Sequence, residues 1–574
     1  VTGWVKVARA GDLAGDGPHA LSAGGVDLVA VRVGGALRVF EGRCPHQGAL
    51  LGEGELEGGA LVCRNHRWRF DPATGQRDGG PQCLRACPVE QRGDDVVVDL
   101  APLADGARAA GRRRLADLPG PRRWALVGNA TQIELPRFHL QLEAWGRQYG
   151  PAYRLRLGPR DYVAVTDPAL IAQALRDRPE TYRRSDRVEP VFAEMGVAGV
   201  FSAEGAAWRP QRKLAMEALA HKNLRGFYPT LAQMADRLRA RWARAAAAGA
   251  VVDIQDDLMR FTVDVTTQLS FGKDLDTLGG DDDVIQRHLE QVFPTFARRL
   301  NALVPYWRLV RLPADRRVDR ALAALRAWIA ELITEARARL AAAPGRAPAN
   351  FLESMLAARD DEGRPFDDEI VFGNVMTMLL AGEDTTANSI AWAVHLLCDH
   401  PAEVAALRAE LAAVIGAAAV PADIERAGRL DVAGAIANEA MRLLPVASLN
   451  FVEANHDTVL GDIELTRGTG VICIARVAAT DPARFADPQV FRPARHLGAS
   501  GGPHDAAALI PFGTGPRICP GRSLALLEMK VALATLYASF DVERVGEASE
   551  VRERYSFTIE PENLRVRLRP RAAA

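Results

Sequence analysis

The sequence predicts a chain in two unequal parts, a small all-β domain followed by a large, mainly α domain with minor β. Three observations lead there. Residues 1–100 are rich in Gly and Val, with short alternating runs separated by glycine pairs, the mark of short strands and tight turns. Residues 101–117 are dominated by Ala, Gly and Arg and read as a linker. From about residue 135 onward, apolar residues recur at three- and four-residue spacing, the helical period. The boundaries drawn are 1–100, 101–117 and 118–570.

Taken in order, Val26–Val33 and Leu37–Phe40 are the first strands, and Val96–Val98 closes the small domain. Glycine pairs at 24–25, 34–35, 58–59 and 79–80 supply its turns. Leu118-Pro119-Gly120-Pro121 opens a new composition. Helices are expected over 230–248, 318–342, 367–398, 402–414, 431–444 and 521–539. Strand-like pieces intervene at Ala152–Leu157, Tyr162–Val165 and Val471–Ile474.

Composition narrows the function classes. With 71 basic and 72 acidic residues the 574-residue chain carries a net charge of −1, so nothing favours nucleic acid as a partner. No run approaches 18 apolar residues, and Val1–Leu13 lack the basic start and apolar core of a signal peptide. The expectation is a soluble, cytoplasmic protein without a membrane anchor. Seven cysteines argue against a disulfide scaffold, yet four of them fall in the first hundred residues.

Two of those four define a metal site. Cys44-Pro45-His46 is followed, after sixteen intervening residues, by Cys63-Arg64-Asn65-His66, each pair on a turn between strands. Two thiolates and two imidazoles suit tetrahedral zinc, or a 2Fe-2S cluster with His replacing Cys on one iron. Cys83 and Cys87, four apart, are expected to share a strand face as ordinary thiols.

A second constellation lies far downstream. Phe512-Gly513-Thr514-Gly515-Pro516-Arg517-Ile518-Cys519-Pro520-Gly521 is a glycine-rich turn that lets backbone amides point at the Cys519 thiolate, with Arg517 a cation suited to a carboxylate. Glu439 and Arg442 share a helix face, and Phe491-Arg492-Pro493-Ala494-Arg495 follows. Trp208 and Arg212 share another face. Ala381-Gly382-Glu383-Asp384-Thr385-Thr386 places an acid and a hydroxyl inside an otherwise apolar helix, where burial is costly unless it serves a purpose.

The first hundred residues resemble the Rieske ferredoxin family, through Cys44 to Leu51 and through Cys63 to Phe70 with Asp71, Thr74 and Gly75. The resemblance implies that Cys44 and Cys63 hold one iron of a [2Fe-2S] cluster and His46 and His66 the other. The chain departs from the family in having Arg64 after the second-loop Cys, where Pro is usual, and Arg67 after the second-loop His, where Gly is usual. With Arg69 these place three guanidiniums near the cluster, as a docking face, as a charge favouring the reduced cluster, or as a solvated basic turn. Ala49 stands where respiratory Rieske proteins have an inter-loop disulfide cysteine.

Residues 118–570 resemble the cytochrome P-450 family of heme-thiolate monooxygenases. By that resemblance Cys519 is the axial ligand of heme b, and Trp208, Arg212 and Arg517 contact the propionates. Phe512 and Gly513 belong to the ligand loop. Glu439, Arg442 and Arg495 form a buried structural triad. Asp384 and Thr385 relay protons, and Ala381-Gly382 mark a local helix distortion beside them. The pocket is lined by the loop around 186–203, by Met376, Leu379 and Leu380, and by Val446–Phe451, with Ser448 and Asn450 as polar contacts.

Together the halves imply a monooxygenase that oxidises a hydrophobic small molecule with O2 and carries its own electron carrier. A seventeen-residue random-coil linker spans roughly 20–25 Å and tethers donor to acceptor. No Gly-x-Gly-x-x-Gly unit follows a strand, so a separate NAD(P)H-dependent flavoprotein reductase is the expected partner. The competing readings are a peroxide-driven or isomerising heme-thiolate enzyme, and a non-catalytic heme or redox sensor.

Overall fold

The computed structural model describes residues 3–571, apart from 16, 24–25, 46–48, 65–66, 80–81, 106–111, 125–126, 281–283, 290, 303, 361 and 499–503. The N-terminal region is all β apart from short helical turns. Trp4–Arg9 pairs antiparallel with Asp95–Asp99, so the two ends of the domain are stitched together, and Val89–Arg92 flanks them. His19–Ala23, Val26–Val33, Ala36–Glu41 and Ala86–Cys87 form a second antiparallel sheet. Its central turn, Gly34-Gly35, has positive φ at both positions, which matches the right-handed strand twist and which side chains resist.

Glu55–Glu57, Ala60–Val62 and Arg69–Phe70 make a third, smaller sheet. Cys83 and Cys87 do not share a strand. Cys83 is exposed, in a bridge to Gln76, while Cys87 pairs with Val39 and is buried, which pushes its thiol up to about 11.

The segment expected to be a linker is partly built into the folded parts. Ala101–Asp105 is helical, with Leu103 packed against the β domain. Arg113–Arg114 adds a parallel strand beside Ile463–Leu465, fixed by a two-pronged ion pair from Arg113 to Asp462 at 2.6 and 2.8 Å. A random coil of seventeen residues therefore overstates the free tether.

The remainder is helix-rich. The longest helices are Pro313–Ala342 and Asp368–Leu397, each of 30 residues. His221–Ala247 begins nine residues before the expected start, because Pro229 is accommodated inside the helix. Ile254–Phe271 is a further helix outside the expected spans. Its Thr-Val-Asp-Val-Thr-Thr run is β-branched and weakly helix-forming, and burial against Asp368–Leu397 overrides that preference. These helices, with Asp431–Leu443 and Arg522–Ser539, enclose the main core around Trp242, Phe261, Ile390 and Leu533.

The expected strands join one five-stranded sheet in the order Ala152–Leu157, Arg160–Val165, Gly470–Ile474, Leu449–Ala454, Tyr182–Arg184. Among the described residues no helix is long and apolar enough to cross a membrane.

Candidate active site and electron-transfer centre

The long helix Asp368–Leu397 is buried nearly throughout, yet Ala381 is exposed and Thr385 half-buried on it. The expected distortion at Ala381-Gly382 is not a break, since the α-helix is continuous through both. The Thr385 hydroxyl donates to the Ala381 carbonyl at 2.8 Å, a back-bond that a helix tolerates. Gly382 instead allows close approach, since a Cβ there would lie 2.8 Å from Thr266 Oγ1. Asp384 is buried, which raises its carboxyl pKa, and hydrogen bonds from Thr558 and Asn388 together with the Arg554 charge offset part of that rise.

Cys519 sits on an accessible face of its turn. Its N–H donates to the Phe512 carbonyl at 2.9 Å, closing the loop. Gly513 and Gly515 both have positive φ, and a Cβ on Gly515 would lie 2.7 Å from the Arg176 backbone. Although the residue is accessible, the protein packed around its sulfur raises the Cys519 thiol pKa. The backbone amides of Gly521 and Arg522 and the Arg212 charge pull it back, which is the amide cradle the glycine spacing implied. Arg212 donates to the Ile518 carbonyl at 2.5 Å.

Around this turn the fold collects cations. Arg517 lies over the Trp208 ring at 4.3 Å and donates to Glu204 at 2.7 Å, while its Nε and Nη1 are buried without partners. Arg178 reaches the same Glu204 at 3.4 Å and leaves its own Nε unpartnered. Arg184, over the Phe201 ring at 3.8 Å, is held well below the usual arginine range by burial and by the Arg178 and Arg517 charges. Arg517 is pushed down to about 10, mainly by burial.

Arg178, Arg184 and Arg517 thus gather around Glu204, with Arg212 adding its charge beside Arg517 and Glu189 offsetting part of it. Such an excess of buried positive charge is costly unless an anionic group completes it. The two propionates of a heme fit that deficit, and the cradled Cys519 fits its iron. Arg178, Arg184 and Glu204 escaped the sequence reading, for they lie in unremarkable stretches and only folding brings them to Arg517.

Glu439, Arg442 and Arg495 meet in the structure. Arg442 binds both Glu439 oxygens at 2.8 Å, and Arg495 adds a third bond at 2.8 Å. His496 and the Arg492 N–H also reach Glu439, at 2.9 Å each, and sequence reasoning missed both. Burial pushes the Glu439 carboxyl up, but Arg442, His496 and the Arg492 amide outweigh it and bring it from 4.5 down to about 2.

Met376, Leu379 and Leu380 pack in one cluster with Phe192 of the short helix Val188–Glu194. Val446 packs instead with Trp392 and Ile559. The Ser448 hydroxyl is buried without a partner, and Asn450 lies half-buried on Leu449–Ala454.

In the β domain, Cys44 and Cys63 are each 1% exposed and belong to one core cluster with Leu51, Leu61 and Phe70. Their N–H groups donate to Ala49 and Trp68, closing two matched loops. His46 and His66 lie outside the described residues. The three guanidiniums on the second loop are not a surplus of charge. Arg64 pairs with Glu53, Arg67 with Glu55 and Glu57, and Arg69 with Glu57 and Asp78. The acidic strand Glu55–Glu57 neutralises the basic turn.

A helix-rich fold with an amide-cradled cysteine, a cation cluster and a buried Glu–Arg–Arg knot defines a thiolate-ligated heme protein, here preceded by a two-loop iron–sulfur module. The cytochrome P450 family model matches residues 118–568 and the Rieske [2Fe-2S] domain model residues 3–90. The chain belongs to the cytochrome P450 family, as a monooxygenase with an N-terminal Rieske electron-transfer domain. Its cofactors are a cysteine-ligated heme and a [2Fe-2S] cluster.

It is 30% identical to the mitochondrial 25-hydroxyvitamin D-1 alpha hydroxylase of Homo sapiens, covering 79% of this chain and 92% of that protein. It is 29% identical to cyclooctatin synthase of Streptomyces melanosporofaciens, over 80% and 99%. A crystal structure of the cytochrome P450DA heme domain superposes with a TM-score of 0.71 at 26% identity, covering 81% of this chain and 99% of that one.

Proposed function

We propose that the chain inserts one oxygen atom of O2 into a hydrophobic organic molecule, with electrons passed from the Rieske centre and reloaded by a separate NAD(P)H-dependent flavoprotein reductase. The balance is RH + O2 + 2e⁻ + 2H⁺ → ROH + H2O. A thiolate-ligated heme, when bound, supplies the O–O cleavage chemistry. The observation that carries the reading is the Cys519 turn, where the Gly521 and Arg522 amides favour a thiolate and the buried Arg178 Nε and Arg517 Nε and Nη1 stand without partners, as an anionic group beside the sulfur would require.

The chain's own residues do the rest. Cys519 is the thiolate ligand, and Trp208 orients Arg517 toward the propionates. Phe512 and Gly513 shape the turn. Cys44, His46, Cys63 and His66 hold the cluster. Glu439, Arg442 and Arg495 lock the 492–496 segment to helix Asp431–Leu443 ahead of Cys519. Asp384 takes up protons and Thr385 presents them beside Ala381 and Gly382. Met376, Leu379 and Leu380 give the pocket an apolar wall, while Val446, in its separate cluster with Trp392 and Ile559, and Asn450 border it from the neighbouring segment. A buried hydroxyl without a partner is destabilising, which supports Ser448 as a polar contact to substrate. The hydroxylase named among the relatives is consistent with this reaction class.

The test is reconstitution of the full chain. A panel of fatty acids, terpenoids and aromatics is screened by the shift of the heme Soret band, and the strongest responder is assayed. O2-dependent product is expected with NADH and an added ferredoxin reductase, and none with NADH alone. Sustained turnover without a reductase contradicts the proposal.

A further inference from the structure

The C-terminal hairpin, Arg552–Tyr555 with Ile559–Glu562, bonds one oxygen of the Asp384 carboxylate directly and reaches the other through two intervening side chains. At the tip, the Thr558 hydroxyl donates to Asp384 Oδ2. The other oxygen is reached along a chain of four residues. Asn388 Nδ2 donates to Asp384 Oδ1 at 3.0 Å, and Gln255 Nε2 donates to Asn388 Oδ1 at 2.8 Å and to Glu560 Oε2 at 3.4 Å. Glu560 accepts from Arg554 at 2.6 Å. Thr558, Glu560 and Arg554 all belong to the hairpin, so an element 174 residues away shares with Asn388 the orientation of the acid.

Asp384 and the Thr385 hydroxyl, meanwhile, are engaged separately, since Thr385 donates to Ala381. Next to Thr558, Phe557 meets Phe201 at 6.0 Å between ring centroids, and Phe201 carries Arg184 of the cation cluster. The hairpin tip therefore touches both the acid and, through Phe201, the cation cluster.

We infer that Thr558 is a positioning residue for proton delivery, holding Asp384 on the hairpin so that the acid's access to Thr385 depends on where the hairpin tip lies. This rests on the reading of Asp384 as the relay acid. The charged groups facing Asp384 are Arg554 and Glu560, both from the hairpin, while helix Ile254–Phe271 contributes the uncharged Gln255. A buried carboxylate that loses a hydroxyl donor titrates higher, because the hydrogen bond favours the charged form.

The experiment uses the full-length holoprotein and the variants Thr558→Val, Thr558→Ser and Asp384→Asn. The first readout needs no turnover, being the pH midpoint of the protonated-carboxyl infrared band that disappears in Asp384→Asn. Thr558→Val is expected to raise this midpoint by about one pH unit, and Thr558→Ser to restore it. The second is peroxide released per NADH consumed, with the strongest Soret responder as substrate. Thr558→Val is expected to raise it by at least about twofold, with Ser near wild type.

An unchanged midpoint and unchanged peroxide ratio in Thr558→Val, while Asp384→Asn still loses product, overturns the inference and leaves the relay intact. Full product formation by Asp384→Asn overturns the relay reading itself, and the inference with it.

Discussion

Glu439 shows how one side chain can bear on the whole heme domain. Fully buried, it is stable as an anion only because Arg442, Arg495, His496 and a backbone amide all point at it. Its carboxyl is lowered from 4.5 to about 2, so the stabilisation is complete above pH 4.5 and is lost as pH falls toward 2. The shift corresponds to about 3 kcal/mol. The urea midpoint of the heme domain, followed by Trp fluorescence, is expected to fall between about pH 5 and about pH 3. Glu439→Gln should remove most of this dependence and cost about 3–5 kcal/mol at neutral pH, since it strands two buried guanidiniums. A variant with wild-type stability would show that the knot is not structural.

Among the elements, the second metal loop of the β domain is the clearest case of a sequence departure repaired by its neighbours. Arg67 has φ of 56°, a left-handed conformation that favours glycine, the residue usual in the family it resembles. Two ion pairs, to Glu55 and Glu57, hold it there. Both components are exposed and individually weak. Arg67→Gly is therefore expected to leave the thermal midpoint of the β domain nearly unchanged, because relief of strain offsets the lost pairs. Arg67→Ala keeps the strain without the pairs and should lower that midpoint. Differential scanning calorimetry of the full chain distinguishes the two, and equal effects would contradict the account. The same neutralisation removes the reason to treat Arg64, Arg67 and Arg69 as a basic docking face.

For the molecule as a whole, the question is how the electron donor stays near the heme. Arg113–Arg114 adds a strand to the heme domain and Ala101–Asp105 packs on the β domain, so the tether is anchored at both ends. Anchoring shortens the free segment and raises the effective concentration of donor at acceptor. Stopped-flow reduction of the heme through the prereduced cluster should therefore have a rate constant independent of protein concentration. Arg113→Ala, which breaks the paired contact to Asp462, should lower that rate constant without making it second order. A rate proportional to concentration in the wild type would mean that electrons pass between chains.

Much of the chemistry was legible in the sequence because its residues lie close together along the chain. Cys44 and His46, Cys63 and His66, the glycine turn around Cys519 and the Ala381–Thr386 station are each local, and their spacing encodes ligand geometry or a shared helix face. The helix Asp368–Leu397 was equally plain, since a continuous apolar period survives any context. What only the tertiary structure decided is long-range. Ile254–Phe271 is a helix because burial outweighs its β-branched preference. Arg178, Arg184 and Glu204 join Arg517 only when distant segments close around the Cys519 turn. Thr558 reaches Asp384 across 174 residues of chain. Periodicity and spacing report neighbours within a few turns, whereas hydrogen bonds between elements depend on how the whole core packs, and no local pattern carries that information.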